Sequence, residues 1–491
     1  MSPVPPKDEI RAEVEEEVAD LGDPETSSPL PTGALASQAA LPLEDPLARR
    51  GASGEIWKLA WPVILSQVLA SLVSLVDIAM VGRLSREAVA AVGYVTQYLW
   101  LTQSIFFAIG IACVAMMSRA IGAGQPVRAR HAHAASILVA FAIATLVTAA
   151  VLIFPGPLLR LLKADPEVVE LAIPYMRLTL GSTLLLSVAI VIESALRADK
   201  DTRTPMQIAL VATVIKTALN GVLIFGLLGF PRLELVGAGL ATVAAQIVAI
   251  TLFGIATRRR LGSPARLGLG DFRASRPLLR EVVRISMPAV AERMVMNGAM
   301  MAYFIFIGTY GTAALAAYTI GIRVLSFSWI PGVGFSTASS TLVGQALGAH
   351  DPEGAQRAGW RAVQLALVVS IVLGAVFGAG RIPLAKLFTS DPGVIAELGP
   401  FMLVLALAQP LMGLHFTLGG ALRGAGDTMT PLMAATLGNW ALRVPLAFVC
   451  ATVLETPVIW LWCALVFDHL ARAVWMLVAF QRGHWKQRLG A

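Results

Sequence analysis

Asp77 lies in the run Leu72-Val73-Ser74-Leu75-Val76-Asp77-Ile78-Ala79-Met80, with no basic residue beside it. An ionised side chain at the centre of a bilayer costs about 2.5 to 3.5 kcal/mol on insertion scales, so a carboxylate in such a run calls for a function or a partner. Lys216 and Asn220 stand four residues apart in a second apolar run, hence on one face of a helix, with Thr213 and Thr217 beside them. A carboxylate, an ammonium and an amide in one pocket could load and release a proton. Protonating Asp77 would break an ion pair with Lys216 in a medium of low dielectric and alter helix packing. A permanent pair that only fixes helix orientation is the other reading of the same residues.

Further polar residues fall inside apolar runs of the second half: Glu292, Asn297, Tyr303, Arg323, His415, Trp440 and Arg443. Glu292, Asn297, Tyr303 and Arg323 are assigned to a substrate cavity. His415 and His469 stand alone in their runs and read as packing residues. Cys113, Cys450 and Cys463 also sit in apolar runs, far from any metal-ligand spacing, so neither a metal nor a cofactor is expected.

The elements that must position these residues are membrane helices. The chain of 491 residues is 56% hydrophobic and only 14% charged, against about a quarter charged for a soluble domain. Twelve apolar stretches between residues 57 and 480 are each long enough to cross the roughly 30 Å of hydrocarbon in a bilayer. The fold expected is an all-α integral membrane protein with twelve transmembrane helices.

With the N-terminus inside, the inner loops carry twenty arginines and lysines and the outer loops seven, which puts both termini in the cytoplasm of a multi-pass protein of the inner, plasma membrane. Lobes are expected at 51–257 and 282–480, joined by an arginine-rich cytoplasmic linker over 258–281 and followed by a C-terminal tail at 481–491. The proline-rich, acidic residues 1–50 read as a disordered cytoplasmic tail.

The lobes are repeats. Pro62 and Pro288, Gly82 and Gly308, Gly122 and Gly348, and Asp165-Pro166 and Asp391-Pro392 all stand 226 residues apart. The same offset relates Ala195-Leu196-Arg197 to Ala421-Leu422-Arg423, and Asp201, Thr202, Thr204 and Pro205 to Asp427, Thr428, Thr430 and Pro431. Six crossings return the chain to its starting side, so the repeats are parallel about an axis along the membrane normal, as in transporters that rock one half against the other. The sequence holds no GxxxxGK[ST], HExxH or GxSxG motif, which argues against ATP-driven pumping and against an enzyme.

The pattern from Trp61-Pro62 through Val76-Asp77 to Val81-Gly82, then Ala90-Ala91-Val92-Gly93, resembles the multidrug and toxic compound extrusion (MATE) family, as do the twin Ala-Leu-Arg…Asp-Thr-x-Thr-Pro motifs. Pro445 after Trp440 and Arg443, the run Gly237-Ala238-Gly239-Leu240-Ala241-Thr242, and Arg472 with the closing Gly483-His484-Trp485-Lys486 are similar to its prokaryotic branches. The resemblance implies two pseudo-symmetric six-helix lobes, a V-shaped arrangement with a central cavity, and efflux of small organic cations or amphipathic compounds coupled to a cation. It also implies a coupling site at Asp77, Lys216, Asn220 and Thr242.

Lysine at 216, where many members have asparagine, favours H+ over Na+ as coupling ion, because an ammonium beside Asp77 would compete with sodium. The acidic residue some members carry in the seventh span is not matched, since Glu292 lies four residues early. The expected partners are small organic molecules and membrane lipid, with no nucleic acid, and the expected state is a monomer. A lipid-linked oligosaccharide flippase of the same superfamily is the nearest alternative, and a non-transporting membrane scaffold or receptor the alternative of another class.

Overall fold

The computed structural model describes residues 46–260 and 262–487. These residues contain no strand, and twelve of their helices are long and apolar enough to cross a membrane. In chain order they are α1 Ser53–Val81, α2 Arg86–Gly122, α3 Pro126–Ile153, α4 Pro166–Ala198, α5 Arg203–Phe225 and α6 Glu234–Arg259. The second six are α7 Arg276–Gly308, α8 Thr312–Gly348, α9 Pro352–Ala379, α10 Pro392–Gly424, α11 Met429–Val453 and α12 Val458–Arg482. Hydrocarbon offers the backbone no water, so each crossing closes its own hydrogen bonds as helix. Residues 1–45, which hold the acidic stretch of the expected tail, lie outside the described residues, as do Leu261 and residues 488–491.

Helices outrun the apolar stretches that announce them, because caps and not the edge of the hydrocarbon end them. The second crossing, whose apolar stretch covers 91–117, begins at Arg86, where the Ser85 hydroxyl accepts the Ala88 N–H at 3.0 Å. Pro126 and Pro352 open α3 and α9 at the position where a missing N–H costs nothing. Asp391 accepts the N–H groups of Gly393 and Val394 at 2.8 and 3.3 Å ahead of α10. The duplicated Asp-Thr-x-Thr-Pro motif proves to be the head of α5 and of α11. Asp201 accepts the N–H groups of Arg203 and Thr204 at 3.1 and 3.0 Å, and Asp427 accepts the Thr430 N–H at 3.1 Å and its hydroxyl at 2.6 Å. The linker contains a short helix, Leu269–Ala274, and its final residues from Arg276 already belong to α7.

One side of the spans carries the start of α1, the linker and the end of α12; we call it the linker side and the opposite one the far side. There the lobes share hydrophobic cores. Ile56, Leu59 and Ala60 of α1 pack with Phe335, Ala338 and Leu342 of α8 and with Ala362 and Ala366 of α9. Val282 and Ile285 of α7 join the α2 and α3 cluster of Cys113, Met117 and Ala129. On the far side each lobe keeps its own core, around Val81, Ala91 and Val168 in one and around Ile307, Ala314, Phe401 and Trp462 in the other. The interface is thus shut on the linker side, and a cleft opens between the lobes on the far side.

Two glycines make the closure tight. Gly122 ends α2 and Gly348 ends α8, one 226 residues after the other. A Cβ on Gly122 would overlap the backbone of Gln345, and one on Gly348 would overlap that of Arg119, which is the repeat counterpart of Gln345. The Gln345 side-chain amide donates to the Ala198 carbonyl at 2.8 Å, and the Thr341 hydroxyl to that of Arg197 at 3.1 Å. No side chain fits at these two crossings, which is why the backbones can approach.

Candidate functional site

The structure brings Asp77, Lys216 and Asn220 together. Lys216 donates to one carboxylate oxygen of Asp77, and the Asn220 amide donates to the other at 2.6 Å. Four-residue spacing on α5 turns both donors to the same face, towards α1. Each member of the ion pair is 24% exposed, whereas Asn220 is buried and its Oδ1 has no hydrogen-bond partner. The pair is therefore not sealed in the lobe core, and one acceptor stays open beside it. Such a site can exchange a proton without dismantling a dry core. Thr242, also assigned to this pocket from the family likeness, donates to the Ala238 carbonyl of its own helix at 3.0 Å; among the described residues no hydrogen bond joins it to Asp77.

The equivalent place in the second lobe is built differently. Tyr303, the repeat counterpart of Asp77, is fully buried. Its hydroxyl donates to the Leu461 carbonyl at 2.7 Å, its ring lies 5.6 Å from that of Tyr318, and the Arg443 guanidinium stands 5.7 Å from the ring centre. Tyr303 thus lies in the lobe core and not on the cleft wall. The carboxylate here comes from α12: Asp468, the counterpart of Thr242, pairs with Arg443 of α11 and with Arg472, whose Nε is 2.6 Å away. Beside it His415 of α10 stacks on His469, with Nε2 and Nδ1 3.1 Å apart. The two histidines that read singly from sequence are a pair. Asp468 escapes sequence reading, although Asp468, His469 and Arg472 within five positions of an apolar run were its signal. Asp468 is fully buried and both its arginines nearly so, so this cluster ties α10, α11 and α12 together and offers water no entry.

Glu292 pairs with Arg423 of α10 at 2.5 Å inside the second lobe. Asn297 is half-buried on α7, on the same face as half-buried Arg293. Arg323 is exposed, in a stripe on α8 with Thr319, Ser326 and Phe327; the matching stripe on α2 holds Thr96, Gln97 and Trp100. Helix α9, by contrast, exposes Val368, Ile371, Val372 and Val376, as a lipid-facing helix does. The polar stripes on α2 and α8 therefore face the cleft. A separate hollow of about 830 Å³ runs between α11 and α12, lined by Leu446, Phe467, Leu470 and Trp475, and touches neither Asp77 nor the cleft stripes.

Known proteins match this architecture along most of its length. The chain is 29% identical over 444 residues to a protein of Thermotoga maritima described as a probable multidrug resistance protein NorM, covering 88% of this chain and 93% of that one. A protein of the same description from Bradyrhizobium diazoefficiens is 29% identical over 403 residues, covering 81% and 86%. The crystal structure of the Vibrio cholerae MATE transporter VcmN in the bent form superposes with a TM-score of 0.81 at 22% identity, covering 89% of this chain and 98% of that one, and so shares the fold. The MatE family profile matches twice, at residues 62–222 and 288–449, with starts separated by the same 226 residues as the internal repeat. With two thirds of its length matched in both repeats, the chain belongs to the MATE family of multidrug efflux transporters.

Proposed function

We propose that the chain exports small amphipathic, drug-like metabolites in exchange for protons. The observation that carries this reading is the Asp77–Lys216 pair, only partly buried, with an unpartnered acceptor on Asn220 beside it. The cleft opens on the far side, and the arginine excess of the linker side assigns that side to the cytoplasm and the far side to the exterior of the plasma membrane. Protons then enter from outside.

Helix α1 is the transmission. Its far half is tied to α5 through Asp77, and its linker half is packed against α8 and α9 of the other lobe. Protonating Asp77 discharges its side of the ion pair, loosens α1 from α5 and shifts a helix that belongs to both lobes. Alternation then requires the crossings at Gly122 and Gly348 to part. The Lys216 ammonium already supplies the cation for the Asp77 carboxylate, which disfavours sodium. Both cleft walls come from one chain, so a monomer suffices.

The test uses inverted vesicles with an acidified lumen in sodium-free buffer. Adding amphiphilic substrates should release luminal protons through the wild type and not through Asp77→Asn. Release that requires added sodium would defeat the proton reading.

A further inference from the structure

We infer that the amphiphiles this cleft selects carry an acidic group, held between Arg293 and Arg323. The inference rests on the export reading above and narrows its substrate class. Arg293 and Arg323 are the counterparts, at an offset of 226, of Gln67 and Gln97. At both positions the first lobe supplies a neutral amide and the second a guanidinium. The two cleft walls therefore differ by two positive charges at equivalent places.

Both arginines lie deep. Arg323 is eleven residues from the far end of α8 and Arg293 fifteen from that of α7, which at 1.5 Å per residue is about 16 and 22 Å of helix. Arg293 also stands two turns beyond Ile285, where α7 enters the shared core, so it marks the cleft floor while Arg323 marks its wall. Neither guanidinium makes a hydrogen bond or an ion pair with another described side chain, although Arg293 lies in the field of the neighbouring Glu292–Arg423 pair. The nearby acids are already paired with other cations. Asp77 is taken by Lys216, Glu292 by Arg423, and Asp468 by Arg443 and Arg472.

An organic cation entering this cleft meets carboxylates that are already paired and two guanidiniums without a hydrogen-bonded counter-ion, which repel it and attract an acid. The planar fork of guanidinium matches a carboxylate, sulfonate or phosphate through paired N–H donors, and such bonds strengthen where water is scarce. Exposed Trp100 and Phe327, on the same stripes, supply apolar faces for the remainder of the molecule. Proton entry at Asp77 adds to the field, since it leaves the Lys216 charge unbalanced in the neighbouring lobe.

The test compares carboxyfluorescein with ethidium in proteoliposomes holding the full chain, with binding to detergent-solubilised protein as a second readout. Wild type should bind and transport carboxyfluorescein. Arg323→Gln, which installs the amide of its own repeat counterpart, should weaken carboxyfluorescein binding at least tenfold; the Arg293→Gln and Arg323→Gln double variant should abolish it, and Arg323→Lys should restore part of it. Size-exclusion elution and a melting temperature in detergent equal to those of wild type would show that these variants are folded, and their ethidium flux should rise relative to carboxyfluorescein flux. Ethidium transport with no binding of carboxyfluorescein by wild type would overturn the inference and leave the export reading standing. Arginine-dependent movement of a fluorescent anionic phospholipid, with none of carboxyfluorescein, would likewise overturn it. Flux of no probe through folded wild type would instead sink the export reading itself.

Discussion

Lys216 and Asp77, 139 residues apart in sequence, meet as an ion pair between α5 and α1, and the same α1 lies at its other end against Phe335 and Ala338 of the opposite lobe. A charge change at one end of this helix therefore bears on the contact between lobes at the other. If the ammonium is what keeps metal cations from Asp77, replacing it by an amide should admit them. Lys216→Asn is expected to make efflux respond to sodium, measured as substrate flux in sodium against potassium buffer, while wild type stays indifferent. A variant that transports but ignores sodium would mean that Lys216 is not the excluding group.

The closed end of the cleft makes a second prediction. Gly348→Val places a branched side chain where even a Cβ overlaps the Arg119 backbone, so the linker-side crossing cannot close. The expected outcome is a folded protein with efflux reduced at least tenfold, trapped open on the linker side. Cysteine pairs placed across the α2 and α8 ends would crosslink in wild type and not in the variant. Crosslinking equal to wild type would show that the helices slide to accommodate the side chain.

Much of this arrangement is legible in the sequence because hydrocarbon imposes coarse rules. Span number follows from apolar length, the two lobes from a constant offset, and the Asp77 pocket from a charge without a neighbour. The Asp468 cluster is not legible in the same way. Its members come from α10, α11 and α12, and each alone looks like a packing residue or a helix-end charge. The offset pairs Lys216 with Leu442, but π-helical Leu437–Arg443 breaks the regular helix there, and it is Arg443 that reaches Asp468. Tyr303 shows the converse: a polar group inside an apolar run suggests the cavity, but a ring that packs on Tyr318 and an OH that finds a backbone carbonyl are better served in the core.

The two ion-pair centres should respond differently to loss of their carboxylate. Asp468→Asn leaves two buried guanidiniums with no counter-charge, and breaking a buried pair by removing one partner costs about 3 to 5 kcal/mol. Asp77→Asn acts on a pair that is only partly buried and should cost much less. Thermal unfolding in detergent should show a large drop for Asp468→Asn, partly recovered by adding Arg472→Met, and a small change for Asp77→Asn. Equal drops would mean that Asp77 is as structural as Asp468, which would weaken its role in coupling.

Asp199, in the turn between α4 and α5, carries a pH dependence of stability outside the membrane. Burial pushes its pKa above the ordinary 3.8 and the like charge of Asp201 adds to this, while the Ser263 hydroxyl, 2.7 Å away, and Arg260 pull it back. The folded state thus holds this proton more tightly than the unfolded chain. Its contribution to stability is fully present below the unfolded pKa and is lost as pH rises through the folded one. At neutral pH the charged carboxylate is a net cost. Asp199→Asn keeps an acceptor for Ser263 and removes that cost, so its melting temperature should exceed that of wild type at pH 7, with the gap narrowing towards pH 4. A gap that stays constant over this range would place its origin in packing, since only a titrating carboxylate makes the two proteins converge in acid.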